Sequence, residues 1–282
     1  MSSEALAEAR GCPWWLWPNV LSLDAAIVAV IWQAAFAKIA GVSLLWGHHA
    51  LLFCCAWLAY CGDRLLDARR LCGPVNSARH EFARCHAWPL SVMWVGALIC
   101  AGVLASRLTM DEILAGTVLL MGVGGYFWLQ HHPVTRRQAG RWKELLAGVG
   151  FALGSSFFTT IHKVPTAGMT CIMLAWAGVC ALNCLIVASG DRRTDTMMGQ
   201  ISLAQSWKGF EGRVPVLTGG LIALAGLGGL LDPSWWPLTG CVAVATLAMN
   251  ELARRGEDLS PDIRRVWADG VLLLPGAWLI FS

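Results

Sequence analysis

The amino-acid sequence predicts an all-α membrane protein, a helical bundle of about nine transmembrane helices. Of the 282 residues, 56% are hydrophobic and only 14% are charged, whereas soluble proteins usually carry about 25% charged residues. Apolar runs long enough to cross a bilayer recur along the chain, and lysine and arginine gather in alternate connections between them. Lipid is therefore the expected main solvent, and residues 1–282 are expected to form a single transmembrane domain.

The predicted membrane spans are the apolar runs that charged breaks separate. They lie at roughly 19–40, 43–63, 87–106, 110–130, 144–162, 167–189, 214–231, 236–253 and 266–281. The last run contains Pro275, which a membrane helix tolerates as a kink. The fifth run carries Gly148, Gly150 and Gly154, small residues that favour close packing against a neighbouring helix.

The distribution of basic residues predicts the orientation of the chain in the membrane. Of the 21 Lys and Arg residues, only Lys38, Arg107 and Lys163 lie in the connections that follow odd-numbered spans. The positive-inside rule then places the N-terminus in the cytoplasm and the C-terminus outside. The expected location is a bacterial inner (cytoplasmic) membrane. The expected cytoplasmic cap loops are about 64–86, 131–143, 190–213 and 254–265.

Several function classes have no support in the sequence. A nucleic-acid partner is not expected, because no basic face remains once the spans are drawn. The sequence contains no GxSxG, P-loop, GxGxxG or HExxH pattern. None of the 11 Cys forms a CxxC pair, so neither a disulfide nor a cysteine metal cluster is predicted.

Two acidic segments share one pattern, each where an even-numbered span meets the predicted cytoplasmic face. Both have the form DRxxD: Asp63, Arg64 and Asp67 in the first, and Asp191, Arg192 and Asp195 in the second. On a helix this spacing puts both carboxylates on one face, about 6 Å apart. Such pairs suit Mg²⁺, which proteins bind through a few carboxylates together with substrate phosphate oxygens.

Nearby basic residues would complete a site for a diphosphate. The candidates are Arg70, Arg79, His80, Arg136, Arg137 and Lys143. The alternative interpretation is that the acidic segments are ordinary solvated residues at helix ends. In that case, Asp63 would simply pair with Arg64 or Arg192.

The segment Ala59-Tyr60-Cys61-Gly62-Asp63-Arg64-Leu65-Leu66-Asp67 resembles the first aspartate motif, NDxxDxxxD, of the UbiA superfamily of intramembrane prenyltransferases. The segment Asp191-Arg192-Arg193-Thr194-Asp195 resembles the second motif of that family, DxxxD. Lys143 and the glycines between 148 and 154 resemble the start of the family's fifth helix. The expected span count and N-in orientation also agree with the family.

This resemblance implies a UbiA-like bundle around a central cavity and an Mg²⁺-dependent prenyltransferase. The enzyme would move an isoprenoid from a polyprenyl diphosphate to an aromatic or other lipophilic acceptor. By the family's pattern, the catalytic metal ligands would be Asp63, Asp67, Asp191 and Asp195. The implied substrate contacts are Arg64, Arg70, Lys143 and Arg192.

The chain departs from the family pattern where the first motif begins. Ala59-Tyr60 stands where the family has Asn-Asp, and Asn183-Cys184 occupies the upstream acidic position of the second motif. Tyr60 either contacts substrate or is an interfacial aromatic residue. The alternatives to a transferase are therefore a non-catalytic UbiA-fold subunit that binds lipid or pigment or assists assembly, a UbiA-type terpene cyclase, and a small transporter.

Two further features depend on how the helices pack. Asp24, one turn into the first span, either faces a cavity as a substrate-binding residue or belongs to a helix start with Ser22 as N-cap. Asp269 at the start of the last span is similar. His48-His49 and His131-His132 are adjacent pairs, and neighbouring residues point to different faces of a helix. Neither pair is expected to share a metal ion.

Overall fold

A computed structural model describes residues 13–69, 78–132, 135, 140, 142–190, 202–207, 209–256 and 258–281. In these residues the fold is all-helical and contains no strand. The α-helices are α1 (Trp17–Val20), α2 (Leu23–Ala40), α3 (Trp46–Ala68), α4 (Ala78–Cys85), α5 (Ala87–Ala105), α6 (Met110–His131), α7 (Lys143–His162), α8 (Ala167–Gly190), α9 (Leu203–Ser206), α10 (Phe210–Leu231), α11 (Trp236–Arg254), α12 (Pro261–Val271) and α13 (Leu274–Phe281). Short 3₁₀ turns cover Trp14–Leu16 and Pro233–Trp235.

Among the described helices, six are long and apolar enough to cross a membrane. They are α2, α5, α6, α7, α8 and α10. Helices α3 and α11 are of similar length but more polar, and they coincide with the predicted second and eighth spans. An integral membrane protein is therefore plausible, and the count of about nine spans stays a prediction.

The predicted start of the first span is wrong by four residues. Helix α2 begins at Leu23, because Ser22 takes the left-handed conformation with φ +60° and separates α2 from the short α1. Ser22 stands at the N-cap position, but its side chain makes no capping hydrogen bond. At the other end, Gly41 has φ +69° and its N–H donates to the carbonyl groups of Ala37 and Lys38. A left-handed glycine of this kind is a common helix stop.

The last predicted span is also corrected. Instead of one kinked helix over 266–281, the chain forms α12 and α13 with a break between them. Pro275 stands in the first turn of α13, where its missing N–H is tolerated because first-turn amides have no partner within the helix. Helix α12 begins inside the predicted cap loop 254–265, where the Ser260 hydroxyl accepts a hydrogen bond from the N–H of Ile263.

The first cap loop, predicted over 64–86, is shorter than expected. Helix α3 continues to Ala68, and α4 occupies the end of the segment. Both carboxylates of the first DRxxD segment therefore lie on regular helix, in agreement with the predicted i,i+4 geometry.

Helix α8 is the centre of the bundle. Most of its side chains are buried, and it packs against α7, α10 and α11. Trp176 of α8 stacks on Trp32 of α2 with ring centroids 3.6 Å apart, and the indole N–H of Trp32 donates to the carbonyl of Leu272 at 2.9 Å. Helices α5 and α6 instead have very few buried side chains, as is typical of helices that face lipid.

Candidate functional site

A cavity of about 120 Å³ opens where α2, α3, α7, α8 and α12 approach one another, beside α1 and α4. Its wall combines polar and apolar side chains. The polar and sulfur-bearing lining residues are Asn19, Asp24, Tyr60, Arg64, Arg79, Cys180, Asn183, Cys184, Arg265 and Asp269. The apolar ones are Ala25, Val28, Ala147, Phe151, Val187 and Leu272. This volume is smaller than the roughly 300–1,000 Å³ of pockets for drug-sized ligands, so it suits a headgroup and not a whole lipid.

Two carboxylates in this cavity are held by amide side chains. Nδ2 of Asn19 donates to Oδ2 of Asp24 at 2.6 Å and to Oδ2 of Asp269 at 3.2 Å. Nδ2 of Asn183 donates to Oδ1 of Asp269 at 3.1 Å. Asp24 also accepts the N–H of Ala25 at 2.8 Å. Asp24 therefore faces a cavity, and one asparagine joins it to Asp269.

Three arginines line the same cavity. Arg64 and Arg265 are buried, and Arg79 is half-buried on α4. Nη1 of Arg64 donates to the backbone carbonyls of Asn19 and Val20, which fixes the guanidinium beside α1. Nη1 of Arg265 contacts Oδ1 of Asp262 at 3.3 Å. Three guanidinium groups in one cavity wall concentrate positive charge there.

His80 lies near the same arginines, on the short helix α4 outside the predicted membrane spans. Its side chain is buried on α4. Burial, followed by the neighbouring cations Arg79, Arg265, Arg64 and Lys143, holds the pKa of His80 well below its ordinary value. The imidazole is therefore neutral, and among the described residues the positive charge near it comes from Arg64, Arg79, Arg265 and Lys143.

One wall of the cavity is aromatic. Tyr60 meets Phe151 edge to face, with ring centroids 6.2 Å apart. Tyr60, which stands where the family pattern has an aspartate, thus points into the cavity and not toward an interface. An aromatic face can stabilise a nearby cation through its quadrupole.

The first DRxxD pair lies next to this cavity but does not line it. Asp63 is half-exposed and contacts Nε2 of His131 at 3.1 Å. Among the described residues it forms no ion pair with Arg64, and the predicted alternative partner Arg192 lies outside the described residues. Asp67 is buried, and its carboxylate lies within electrostatic range of Asp63, His131, Lys143 and Arg79. Lys143 begins α7, as predicted.

The second DRxxD pair lies outside the described residues. This applies to Asp191, Arg192 and Asp195, and also to Arg70 of the first cap loop. Helix α8 ends at Gly190, directly before the pair, and Gly190 packs against the guanidinium of Arg264. The four-carboxylate arrangement therefore stays a prediction.

The described residues of the first motif fit a hard divalent cation. Oδ1 of Asp67 is buried and has no hydrogen-bond partner among the described residues. Asp63 supplies a second carboxylate one turn away on the same helix. Carboxylate oxygens are the ligands that Mg²⁺ prefers. Asp63 and Asp67 can thus hold part of the coordination shell of Mg²⁺.

Several lining residues of the cavity were not predicted from the sequence, among them Arg265 and Asn19. Arg265 was not predicted, although Arg265 and Asp269 are four residues apart on α12 and share one helix face. Asn19 was not predicted either. It is the first residue of the predicted first span, and only the fold brings it to Asp24 and Asp269.

The comparisons with known proteins found no match. No protein-family model, no curated protein and no solved structure resembles this chain significantly.

Proposed function

We propose that this chain is an integral membrane protein of about nine spans that binds a polyprenyl diphosphate and transfers its isoprenoid group, with Mg²⁺, to a lipophilic acceptor. The observation that carries the proposal is the cavity in which Arg64, Arg79 and Arg265 surround a headgroup-sized space beside Tyr60. The resemblance of the two aspartate segments to UbiA motifs supports it independently.

The charge balance of the cavity favours an anionic headgroup. Its wall carries three guanidinium groups against the carboxylates of Asp24 and Asp269. Lys143 and the pair Asp63–Asp67 stand close by, where electrostatic interactions join Asp67 to both Lys143 and Arg79. Arginine binds phosphate oxygens through charge-assisted, often bidentate, hydrogen bonds. A diphosphate would therefore be bound between the arginines and the first acidic pair.

The residues of the chain suggest how transfer would proceed. Arg64, Arg79 and Arg265 orient the diphosphate and stabilise the charge that develops on it as the allylic C–O bond breaks. Pyrophosphate leaves with the bonding electron pair, and the aromatic ring of Tyr60 faces the positive charge left on the allylic carbon. The acceptor then forms the new bond and loses a proton. When bound by Asp63 and Asp67, Mg²⁺ would neutralise phosphate charge and make pyrophosphate a better leaving group.

The distribution of basic residues predicts the side of the membrane on which the cavity lies. The cavity lies at the end of α3 that carries Asp63 to Arg69, next to the predicted basic connections, so we place it on the cytoplasmic side. A prenyl chain is too large for the cavity itself. It would extend between helices toward the lipid, while the headgroup stays among the arginines.

Binding and turnover of polyprenyl diphosphates test the proposal. The purified chain in detergent is incubated with Mg²⁺ and farnesyl or geranylgeranyl diphosphate, and diphosphate binding and pyrophosphate release are measured. Arg79→Gln is expected to weaken binding at least tenfold, because it removes a guanidinium from the cavity wall. Arg84→Gln changes an exposed arginine of the same helix α4 and is the matched control. Asp67→Asn should slow pyrophosphate release by at least tenfold.

A wild-type protein that binds none of these diphosphates would overturn the proposal. So would equal binding by the Arg79→Gln and wild-type proteins, with Arg84→Gln unchanged. Folding of each variant is checked by its elution as a single species in detergent and by its thermal midpoint.

The second candidate function is a non-catalytic subunit that binds a polyprenyl lipid or pigment. It is favoured by Tyr60 in place of an aspartate and by the pairing of Asp63 with His131. This alternative predicts tight binding of the diphosphate without pyrophosphate release. Binding that is insensitive to Mg²⁺ and to Asp67→Asn would support it over the transferase.

A further inference from the structure

Three metal-ligand side chains meet at the other end of the bundle. His48 lies in the first turn of α3, Glu112 in the first turn of α6 and His162 at the end of α7. Oε1 of Glu112 is 3.2 Å from Nε2 of His48 and 3.0 Å from Nε2 of His162. The three ligand atoms lie within 4.8 Å of one another. Two imidazoles and one carboxylate thus converge from three helices.

The carboxylate is buried and held in one orientation. Glu112 is only 2% exposed, which is unusual for an acidic side chain. Its Oε2 accepts the backbone N–H of Thr109 at 2.7 Å and the Thr109 hydroxyl at 2.9 Å. Both of these donors act on Oε2, so Oε1 faces the two imidazoles. Outer hydrogen bonds of this kind orient the ligands of metal sites in proteins.

The spacing of the ligand atoms is close to that around a zinc ion. Zinc–ligand bonds of about 2.1 Å in tetrahedral geometry put neighbouring ligand atoms about 3.4 Å apart. The two nitrogen–oxygen distances of 3.0 and 3.2 Å need only a small expansion to match. His162 is 38% exposed, so solvent can reach a fourth coordination position.

Binding of a cation requires a change of tautomer at His48. Nδ1 of His48 accepts the N–H of Leu45 at 3.1 Å, so its Nε2 carries the proton that points to Glu112. Coordination through Nε2 requires that proton to move to Nδ1, which then no longer accepts the Leu45 N–H. The Leu45 N–H lies at the exposed end of α3 and can turn to solvent instead. Phe158 packs on the ring of His48 with centroids 4.5 Å apart and keeps it in place.

The geometry points to a binding site for one Zn²⁺ or a similar divalent transition-metal ion on His48, Glu112 and His162. Two histidines and one carboxylate, with a position left for water, form a ligand set that zinc uses in proteins. Bound there, the ion would tie together the ends of α3, α6 and α7.

This site is separate from the cavity and does not depend on the proposed function. His48 and Arg64 are sixteen residues apart on α3, which corresponds to about 24 Å along a helix axis. The side chains of His48 and His49 point to different faces of α3, as predicted. His49 contacts Nε2 of Gln33 at 2.8 Å, whereas His48 contacts Glu112.

Titration of the metal-free protein with Co²⁺ and Zn²⁺ tests the inference. The purified chain is stripped with a chelator in detergent and titrated with Co²⁺, whose absorption reports low-symmetry nitrogen and oxygen ligation, and with Zn²⁺ by calorimetry. One ion per chain is expected, displaced by chelator. Glu112→Gln and His162→Gln should each weaken binding at least tenfold, and Thr109→Val about tenfold through loss of the outer hydrogen bond.

His86→Gln is the matched control, because His86 is an exposed histidine far from the cluster on the chain. Its binding should equal that of the wild type. Zinc should also raise the thermal midpoint of the wild type and of His86→Gln but not that of His162→Gln, a partly exposed position at a helix end. Absence of stoichiometric binding to the wild type, or binding that survives both Glu112→Gln and His162→Gln, would overturn the inference.

Discussion

At the scale of single residues, several carboxylates inside the described part of the bundle are hydrogen-bonded or paired. Asp24 and Asp269 share Asn19, and Glu112 lies between two imidazoles. Ionisable groups in a low-dielectric interior are costly unless they are paired or hydrogen-bonded. The group of Asp24, Asn19 and Asp269 and the group around Glu112 are therefore two places where the described part of the fold offsets this cost.

His80 yields a prediction about pH at this scale. Because its pKa in the folded chain lies well below the ordinary value of about 6.5, protonation below that pH favours the unfolded chain. The contribution of the neutral His80 side chain to the free energy of unfolding should be fully present above a pH of about 6.5. Below that pH it should decrease, by up to about 1.4 kcal/mol per pH unit. Denaturation in detergent micelles between pH 5 and 7.5 measures this slope.

His80→Gln should remove that contribution and flatten the slope. His86→Gln changes an exposed histidine just beyond α4 and should leave the slope as in the wild type. An unchanged slope in His80→Gln would show that this imidazole is not kept neutral by its burial and by the surrounding arginines.

At the scale of helices, close packing depends on a few glycines and not on every glycine of a small-residue stripe. Of the three glycines predicted to pack in α7, only Gly148 approaches another backbone: a Cβ there would lie 2.5 Å from the amide nitrogen of Ala181 in α8. Gly150 has open space around it, and Gly154 has only ordinary van der Waals contact with Leu52. Three glycines of α7 were predicted to allow close helix packing, and one of them does so in the structure.

Two substitutions compare the close backbone contact at Gly148 with the open space at Gly150. Gly148→Val should push α7 away from α8 and lower the free energy of unfolding by about 1–3 kcal/mol. Gly150→Ala is the matched control and should be neutral or slightly stabilising, since alanine favours the helix over glycine by up to about 1 kcal/mol. Thermal midpoints in detergent compare the two. Equal midpoints would contradict the close α7–α8 contact.

At the scale of the whole molecule, three helices carry charged or titratable side chains at both of their ends. Helix α3 contributes His48 at one end and Arg64 at the other. Helix α6 contributes Glu112 and His131, and α7 contributes His162 and Lys143, again at opposite ends. Helices α3, α6 and α7 thus carry charged or titratable residues at both ends, whereas α2, α4 and α12 supply the other charged residues of the cavity. Helix α8 supplies more of the buried apolar core than any other described helix.

Sequence patterns predicted the helices well and their neighbours less well. Helix positions follow from local hydropathy, so each predicted span has a helix, although the last is broken before Pro275. Tyr60, Arg64 and Asp24 were predicted as site residues and line one cavity. Arg265 and the Glu112–histidine group were not predicted, because hydropathy does not say which helix ends meet. The roles assigned to the aspartate segments stay predictions.

The predicted odd number of spans determines the sides of the membrane on which the two termini lie. Nine spans put the two termini on opposite sides of the membrane, whereas the six most apolar helices alone would put them on the same side. A reporter that is active only outside the membrane, fused after Phe281, should be active. The same reporter fused after Arg255, in the basic segment that follows α11, should be inactive and is the matched control. Because α12 and α13 are short and separated by a break, they form the weakest span by length. Inactivity at both fusion points would mean that these two helices enter the membrane without crossing it, and would reduce the count to an even number.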